Sequence, residues 1–335
     1  MKQNTHKTSI GGQAVIEGVM MRGPDKSVLA VRNTKGEIIV EDLKNHSKPF
    51  YAKIPILRGI ISFVTSLTLG YKAISRSAEL SGLEDDDGED GEQMTEKQKK
   101  NTERIFSFAM ILSMVFGVVL SMGLFVYLPE FLFGLIRSPF NLNSPIYLPL
   151  FTGIIRFVLF IIYLLAVSQM KDIKRIFQYH GAEHKTIFCY EQKLPLTVEN
   201  VRTNSRFHPR CGTSFLLIVM IIALLVYMIP FFNSTFIYIY KYFGINHQVS
   251  DFKTNMLTSF IRFLVKLPFL PLIAGLSYEI IKFAGRHENL FTRILSAPGM
   301  WLQGLTTKEP DDSQIEVAIK SLEAVIPRNS DDDKW

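Results

Sequence analysis

Four stretches of this 335-residue chain stay apolar over lengths that match a lipid bilayer, and no other feature limits its fold so strongly. An α-helix rises about 1.5 Å per residue, so crossing the roughly 30 Å hydrocarbon layer takes about 20 apolar residues. Residues 105–128 carry no charge and end against Pro129, and residues 146–170 are interrupted only by Arg156. Residues 213–240 enclose Pro230, and residues 257–281 enclose Arg262, Lys266 and Glu279. The expectation is a mainly α, polytopic four-helix transmembrane protein. A fifth stretch, 54–74, has an uncharged core of only residues 59–71, about 20 Å as a helix, between Arg58 and Lys72. It is expected to lie on or dip into the membrane surface as an amphipathic or re-entrant helix.

The charges are few, 20% of residues against 47% apolar, and they are clustered. That excludes a disordered protein and argues against an ordinary soluble enzyme. Two cysteines in a chain of this length rule out a disulfide-built scaffold. Residues 1–52 hold no apolar run long enough for a secretory signal. The net charge of +6 is read as cytoplasmic-loop charge rather than a nucleic-acid surface. Sixteen Lys or Arg precede the first span, eight lie in 171–211 and seven follow from Lys282 onward. The link between the first two spans carries only Arg137, and the link between the last two only Lys241 and Lys253. The positive-inside rule then predicts a multi-pass protein of the cell membrane, with both termini and the middle loop 171–212 in the cytoplasm. Cys189 and Cys211 fall on that reducing side, where no disulfide is expected.

The predicted organisation is a cytoplasmic β unit over 1–52, the surface helix over 53–80, a linker over 81–103, the four-span domain over 104–285 and a cytoplasmic tail over 286–335. In the β unit, Val- and Ile-rich runs at 13–21, 27–32 and 37–43 read as three strands, with Asn33-Thr34-Lys35-Gly36 as a hairpin turn. Three strands alone are marginal, so the unit should pack on the membrane helices or the middle loop. Seven acidic residues and two Gly in 84–92 read as a solvated linker, and Lys97, Lys99, Lys100 and Arg104 after it as a topology signal facing anionic lipid. In the tail, Pro298-Gly299 is expected to break the segment, with Met300, Trp301 and Leu302 at the membrane interface. Ser313-Gln314-Ile315-Glu316 fits a capping box, and Ile315, Ile319, Leu322 and Ile326 follow at helical spacing, so an amphipathic helix should dock on the cytoplasmic body.

The residues that could carry chemistry lie mostly beside the second and third spans. His180-Gly181-Ala182-Glu183-His184 has the form H-x-x-E-H. Histidines at i and i+4 share one helix face about 6 Å apart, so both can reach one zinc ion, with Glu183 as general base. The plain alternative is a surface helix with two solvated histidines, and Gly181 weakens the helix the motif needs. His208 and Cys211 are ligand types at short spacing. Joined to His180 and His184 they would close a structural three-His, one-Cys site, and otherwise Cys211 is a small buried residue in a turn. Glu279 is a candidate third ligand of an open two-His, one-Glu site, or else the partner of Lys282 or Arg286. If the second span ran straight on past Lys171, His180 would stand about 15 Å beyond the membrane, too far for Glu279 without a bend. Glu17 is an alternative ligand or a partner for an imidazole N–H, or simply a solvent-facing strand residue. Arg156 and Arg262 should snorkel or meet a partner inside the bundle.

At these residues the chain resembles a known family. Gly11-Gly12-Gln13-Ala14-Val15-Ile16-Glu17-Gly18-Val19-Met20-Met21-Arg22-Gly23-Pro24, Tyr179-His180-Gly181-Ala182-Glu183-His184-Lys185-Thr186, His208-Pro209-Arg210-Cys211-Gly212-Thr213-Ser214-Phe215, Ser277-Tyr278-Glu279 and Ala297-Pro298-Gly299 are similar to blocks of the YqhQ-like bacterial integral membrane proteins, a domain of unknown function. The resemblance covers roughly 10–325 and implies a metal-dependent enzyme, a label that rests on the same histidines. Together these readings give metal-assisted hydrolysis of an amide or ester in a membrane substrate at the cytoplasmic face. A rival is a non-catalytic scaffold with a structural polar or zinc site that binds a membrane-protein partner such as insertion machinery. A third is a transporter lined by Arg156, Arg262 and Glu279.

Overall fold

The computed structural model describes residues 6–43, 54–82, 112–244, 252–286 and 289–333, apart from 114, 138, 143, 145, 330 and 331. The acidic run 84–92, the basic cluster at 97–104, and His46, His247 and His287 lie outside them. The chain divides into two compact units, one formed by 1–87, 164–219 and 274–335, the other by 88–163 and 220–273.

The first unit is built around a four-stranded antiparallel meander: β1 Gly11–Val15, β2 Gly18–Arg22, β3 Ser27–Arg32 and β4 Ile38–Leu43. The run expected as one strand over 13–21 is a hairpin instead. It turns at Ile16-Glu17, where Glu17 takes a positive φ of 50°. The alternation of side chains then presents two apolar faces, and β2 and β3 are buried almost throughout. Val19, Met21, Val28 and Ala30 pack on one side, and Met20, Leu29 and Val31 on the other. A surface sheet would bury one face only, so this one needs two covers.

The covers are helical. α1 (Leu57–Ser81) lays Leu69 and Ala73 on the second face. The first face receives two helices, Lys171–Glu191 and Asp312–Val325, which contribute Tyr179, Ala182 and Ile187, and Ile315, Ala318 and Leu322. The C-terminal amphipathic helix therefore docks on its own chain, as its apolar spacing predicts. Its capping box is formed by Asp311 and Gln314, not by Ser313 and Glu316. The segment before it is not broken at Pro298, because a helix runs unbroken over Leu290–Thr306.

Three helices of the described residues are long and apolar enough to cross a membrane: α2 (Val115–Arg137), α3 (Tyr147–Val167) and Met256–Ala284. α2 does not stop at Pro129. The ring of Pro129 removes the N–H that would have bonded the carbonyl four residues earlier, Phe125. A π-helical turn over Gly123–Tyr127 absorbs the defect, and Arg156 Nε donates to the Phe125 carbonyl at 2.8 Å. After α3 the chain leaves the helix at Met170 (ψ 135°) and starts afresh as α4 (Lys171–Glu191), so the helix is not straight past Lys171. A single turn, α5 (Val198–Arg202), follows. The stretch expected as one span over 213–240 is two helices, α6 (Gly212–Tyr227) and α7 (Pro230–Tyr242). Ile229 is extended (ψ 132°), as the residue before a proline must tend to be. The last apolar stretch comprises α8 (Phe252–Lys266), a 3-10 turn at Leu267–Phe269 and α9 (Leu270–Arg286). α10 (Leu290–Thr306) and α11 (Asp312–Val325) complete the chain. The second unit packs the aromatic residues Phe232, Phe236 and Tyr240 together.

Candidate metal centre

α4 carries the H-x-x-E-H motif on its buried side. Gly181 is there because the backbone of the segment joining α10 to α11 presses on it. A Cβ at 181 would lie 2.1 Å from the Lys308 carbonyl oxygen, and Lys308 N–H itself donates to Phe177 O at 2.8 Å. That close approach delivers the Thr306 carbonyl to His180 Nδ1 at 2.8 Å. One turn on, His184 Nδ1 meets the Arg206 carbonyl at 2.6 Å. A carbonyl only accepts, so both rings carry a proton on Nδ1, and the neutral form of each has its lone pair on Nε2. Fixing the tautomer through a backbone carbonyl is how metal-binding histidines are commonly oriented.

Cys211 lies beside the two rings. His180 Nε2 lies 3.2 Å from Cys211 Sγ, and the two imidazole centroids are 4.4 Å apart. One donor atom from each of His180, His184 and Cys211 falls within 4.8 Å of the others. Donors around a tetrahedral zinc, at bonds of about 2.0–2.3 Å, stand roughly 3.5 Å apart, so the three fit such an ion after a small contraction. Cys211 precedes the first residue of α6, and Thr213 N–H points at its sulfur at 3.4 Å, a setting that suits a sulfur bearing negative charge. Burial of His184 and Cys211 keeps water from competing for the ring nitrogen and the sulfur.

The other candidates are placed elsewhere. His208 is buried 5.7 Å from the His184 ring, but its Nε2 faces Glu191 at 3.5 Å and its Nδ1 accepts from Arg210 N–H at 3.3 Å. Burial pushes the His208 imidazole down to about 4, only partly offset by its hydrogen bond with Glu191. Glu191 is itself pushed up by burial, but hydrogen bonding from His208 and the Arg210 charge hold it below the ordinary carboxylate range. A closed three-His, one-Cys set is thus not assembled. Glu279 forms a two-point ion pair with Arg58 and accepts from Ile56 N–H at 3.2 Å. Glu17 pairs with Arg175 and accepts from Tyr179 Oη at 3.2 Å, tying the β1–β2 turn to α4. Glu183 is buried, and its Oε1 accepts from Gly12 N–H at 2.9 Å. Burial pushes its carboxyl up, against the opposing pull of His180 and of the Gly12 hydrogen bond.

Sequence reasoning missed the residues that hold the ligands and the turn that leads to Cys211. Gln303 is fully buried and clamps the His208 backbone, accepting from its N–H at 2.7 Å and donating to its carbonyl at 2.8 Å. Thr306 and Arg206 act through backbone carbonyls, which no side-chain pattern discloses. Gln303 did leave a signal, as a lone amide in the apolar run Met300-Trp301-Leu302.

The family described as "Protein of unknown function (DUF1385)" matches residues 54–328. The chain belongs to that family. It is 35% identical over 330 residues to a Bacillus subtilis (strain 168) protein described as "Uncharacterized protein YqhQ", covering 97% of this chain and 95% of that one. The resemblance seen in the glycine-rich, histidine and cysteine blocks is thereby shown. No solved structure matches the chain.

Proposed function

We propose that this is a zinc-binding integral membrane protein whose His180, His184 and Cys211 hold the ion for metal-assisted hydrolysis of an amide or ester beside the membrane. The carrying observation is the pair of imidazoles pinned at Nδ1 by backbone carbonyls, with His180 Nε2 on the Cys211 sulfur and donor atoms of His180, His184 and Cys211 within 4.8 Å of one another. Three protein ligands leave one position of a tetrahedral ion open, the arrangement of catalytic rather than structural zinc. Bound zinc would supply Lewis acidity toward a substrate carbonyl. Glu183, whose carboxyl burial pushes up, is the candidate to hold and move the proton. A non-catalytic scaffold is the second reading, favoured by the hydrogen bond that commits Glu183 Oε1 to the sheet.

The topology we propose has four crossings with both termini in the cytoplasm. Parity supports it. The first unit is compact yet composed of 1–87, 164–219 and 274–335, and a four-crossing path brings each excursion between those segments back to the side it left. α2 and α3 make one such excursion, and adding α1 as a crossing would break the parity. The residues between 219 and 274 make the other. The Lys and Arg excess lies in the segments of the first unit.

Metal counting on the purified chain tests the site. Wild type should carry about one zinc per chain, lost in His180→Ala, His184→Ala and Cys211→Ala and kept in Glu279→Gln. Wild type without metal, or a Cys211→Ala variant that keeps it, would overturn the site. Glu183→Gln that keeps both zinc and cellular function would leave the scaffold reading in place of the hydrolase.

A further inference from the structure

The second unit holds a charged cluster that the metal centre does not use. Glu130 and Arg156 lie within apolar helices, and Arg262 and Lys266 on the third apolar stretch. Glu130 is the only acidic residue among the described residues of this unit. It is already committed: Arg262 pairs with it at 2.5 Å and Ser259 Oγ donates to it at 2.5 Å. Arg156 makes one hydrogen bond among the described residues, from Nε to Phe125 O, which leaves its terminal amino groups without a partner there. Lys266 has no carboxylate within ion-pair distance among the described residues. Its ammonium sits over the rings of Tyr227 and Phe236, 5.0 and 5.8 Å from their centroids.

These two cations border one cavity of about 130 Å³, walled by Glu130, Tyr227 and apolar side chains including Phe125, Phe263 and Leu270. The cavity lies where both surrounding helices lose regularity. Phe125 and Val126 come from the π-helical turn of α2, and Leu267 from the 3-10 turn after α8. Irregular backbone at membrane depth is tolerated where it lines a cavity, and π-turns inside helices are frequent at functional sites. Two unmatched cations in apolar surroundings are costly unless a counter-charge accompanies them. A guanidinium fork beside an ammonium suits a phosphate oxyanion, and a phosphate monoester near neutral pH carries about −1.5 to −2, close to the charge left open.

We propose that this cavity is a binding site for a phosphate monoester, held by Arg156 and Lys266, with Glu130 and Arg262 as its charge-balanced wall. Inorganic phosphate and the phosphate of a lipid chain share that chemistry, and the apolar walls give a chain somewhere to lie. The test is calorimetric titration of the full chain in an uncharged detergent with inorganic phosphate, octyl phosphate and octanol as separate probes. Saturable binding of either phosphate but not octanol is expected, at least tenfold weaker in Lys266→Met and Arg156→Gln and tighter in Glu130→Gln, which frees further positive charge. Binding of both phosphates marks a soluble source, and binding of octyl phosphate alone marks a lipid-linked one. If wild type binds neither phosphate, or if Lys266→Met and Glu130→Gln bind as wild type does, the proposal is overturned. Those two variants keep the test open should Arg156→Gln fail to fold.

Discussion

Replacing Gly181 by alanine sets two effects of opposite sign against each other. In a helix interior alanine is more stable than glycine by about 0.5–1 kcal/mol, so an unconstrained α4 would gain from the change. Here the new Cβ would stand 2.1 Å from the Lys308 carbonyl oxygen, 3.2 Å from the Lys308 carbon and 3.4 Å from Pro310 Cδ. Reaching an ordinary 3.4 Å from the oxygen requires a displacement of about 1.3 Å, and the obstacle is backbone rather than a side chain that could swing aside. Overpacking of this kind costs typically 1–3 kcal/mol, which exceeds the propensity gain. The expected net loss is about 1–2 kcal/mol. The displaced segment also carries Thr306, whose carbonyl orients His180, and losing such a partner typically weakens metal affinity about 10–100-fold. Thermal unfolding of the metal-free protein isolates the first effect, and competition against a zinc chelator isolates the second. An alanine variant more stable than wild type, with unchanged zinc affinity, would refute the packing argument.

Other perturbations follow from the same contacts. Gln303→Leu should cost about 2–4 kcal/mol, because both backbone groups of His208 lose their buried partner, and denaturant unfolding would show an undiminished midpoint if the clamp is idle. Leu322→Ala on the sheet-facing side of α11 should cost about 2–5 kcal/mol, read as a lower unfolding temperature, while exposed Glu323→Ala should change little. Gly12→Ala should also destabilise the fold, since its Cβ would meet Met20 O at 2.7 Å and Glu183 Cδ at 3.1 Å. An unchanged melting temperature would show that β1 yields there at no cost. Removing zinc with a chelator should lower the melting temperature of wild type and leave Cys211→Ala unmoved, since only a chain that binds the ion is stabilised by it.

Three of the long apolar helices were legible because apolar length is a property of sequence alone, and the C-terminal helix because Ile315, Ile319 and Leu322 repeat at its period. Breaks within helices were read less well. Pro129 and Pro298 both lie inside helices, since the cost of a proline depends on whether the freed carbonyl finds another donor, and at Phe125 that donor is Arg156, 31 residues away. The β1–β2 turn was missed because Ile16-Glu17 carries no glycine or asparagine to mark it. At the site, His180, His184 and Cys211 were identifiable by residue type and spacing. Which of the further candidates joined them was decided by tertiary contacts: Arg58 takes Glu279, Arg175 takes Glu17, and Glu191 draws His208 aside. None of these partners is near in sequence to the residue it claims except Glu191, whose separation from His208 is still too long to read as a pattern.

The sheet and one of its covers lie far apart in the chain. β2 and β3 leave the ribosome about 290 residues before α11, the helix that with α4 closes over Val19, Met21, Val28 and Ala30 and ends at Val325. At a synthesis rate of about 5–20 residues per second, that surface waits roughly a quarter of a minute to a minute, while the intervening apolar helices are inserted into lipid. Until α11 is made, the nascent hairpins keep part of their apolar surface uncovered, and a premature stop anywhere before α11 leaves them so permanently. Quality control of this protein is therefore expected to act on the codons of α11 more sharply than on any other stretch, and truncations that remove α11 should be degraded rather than accumulate as partly working forms.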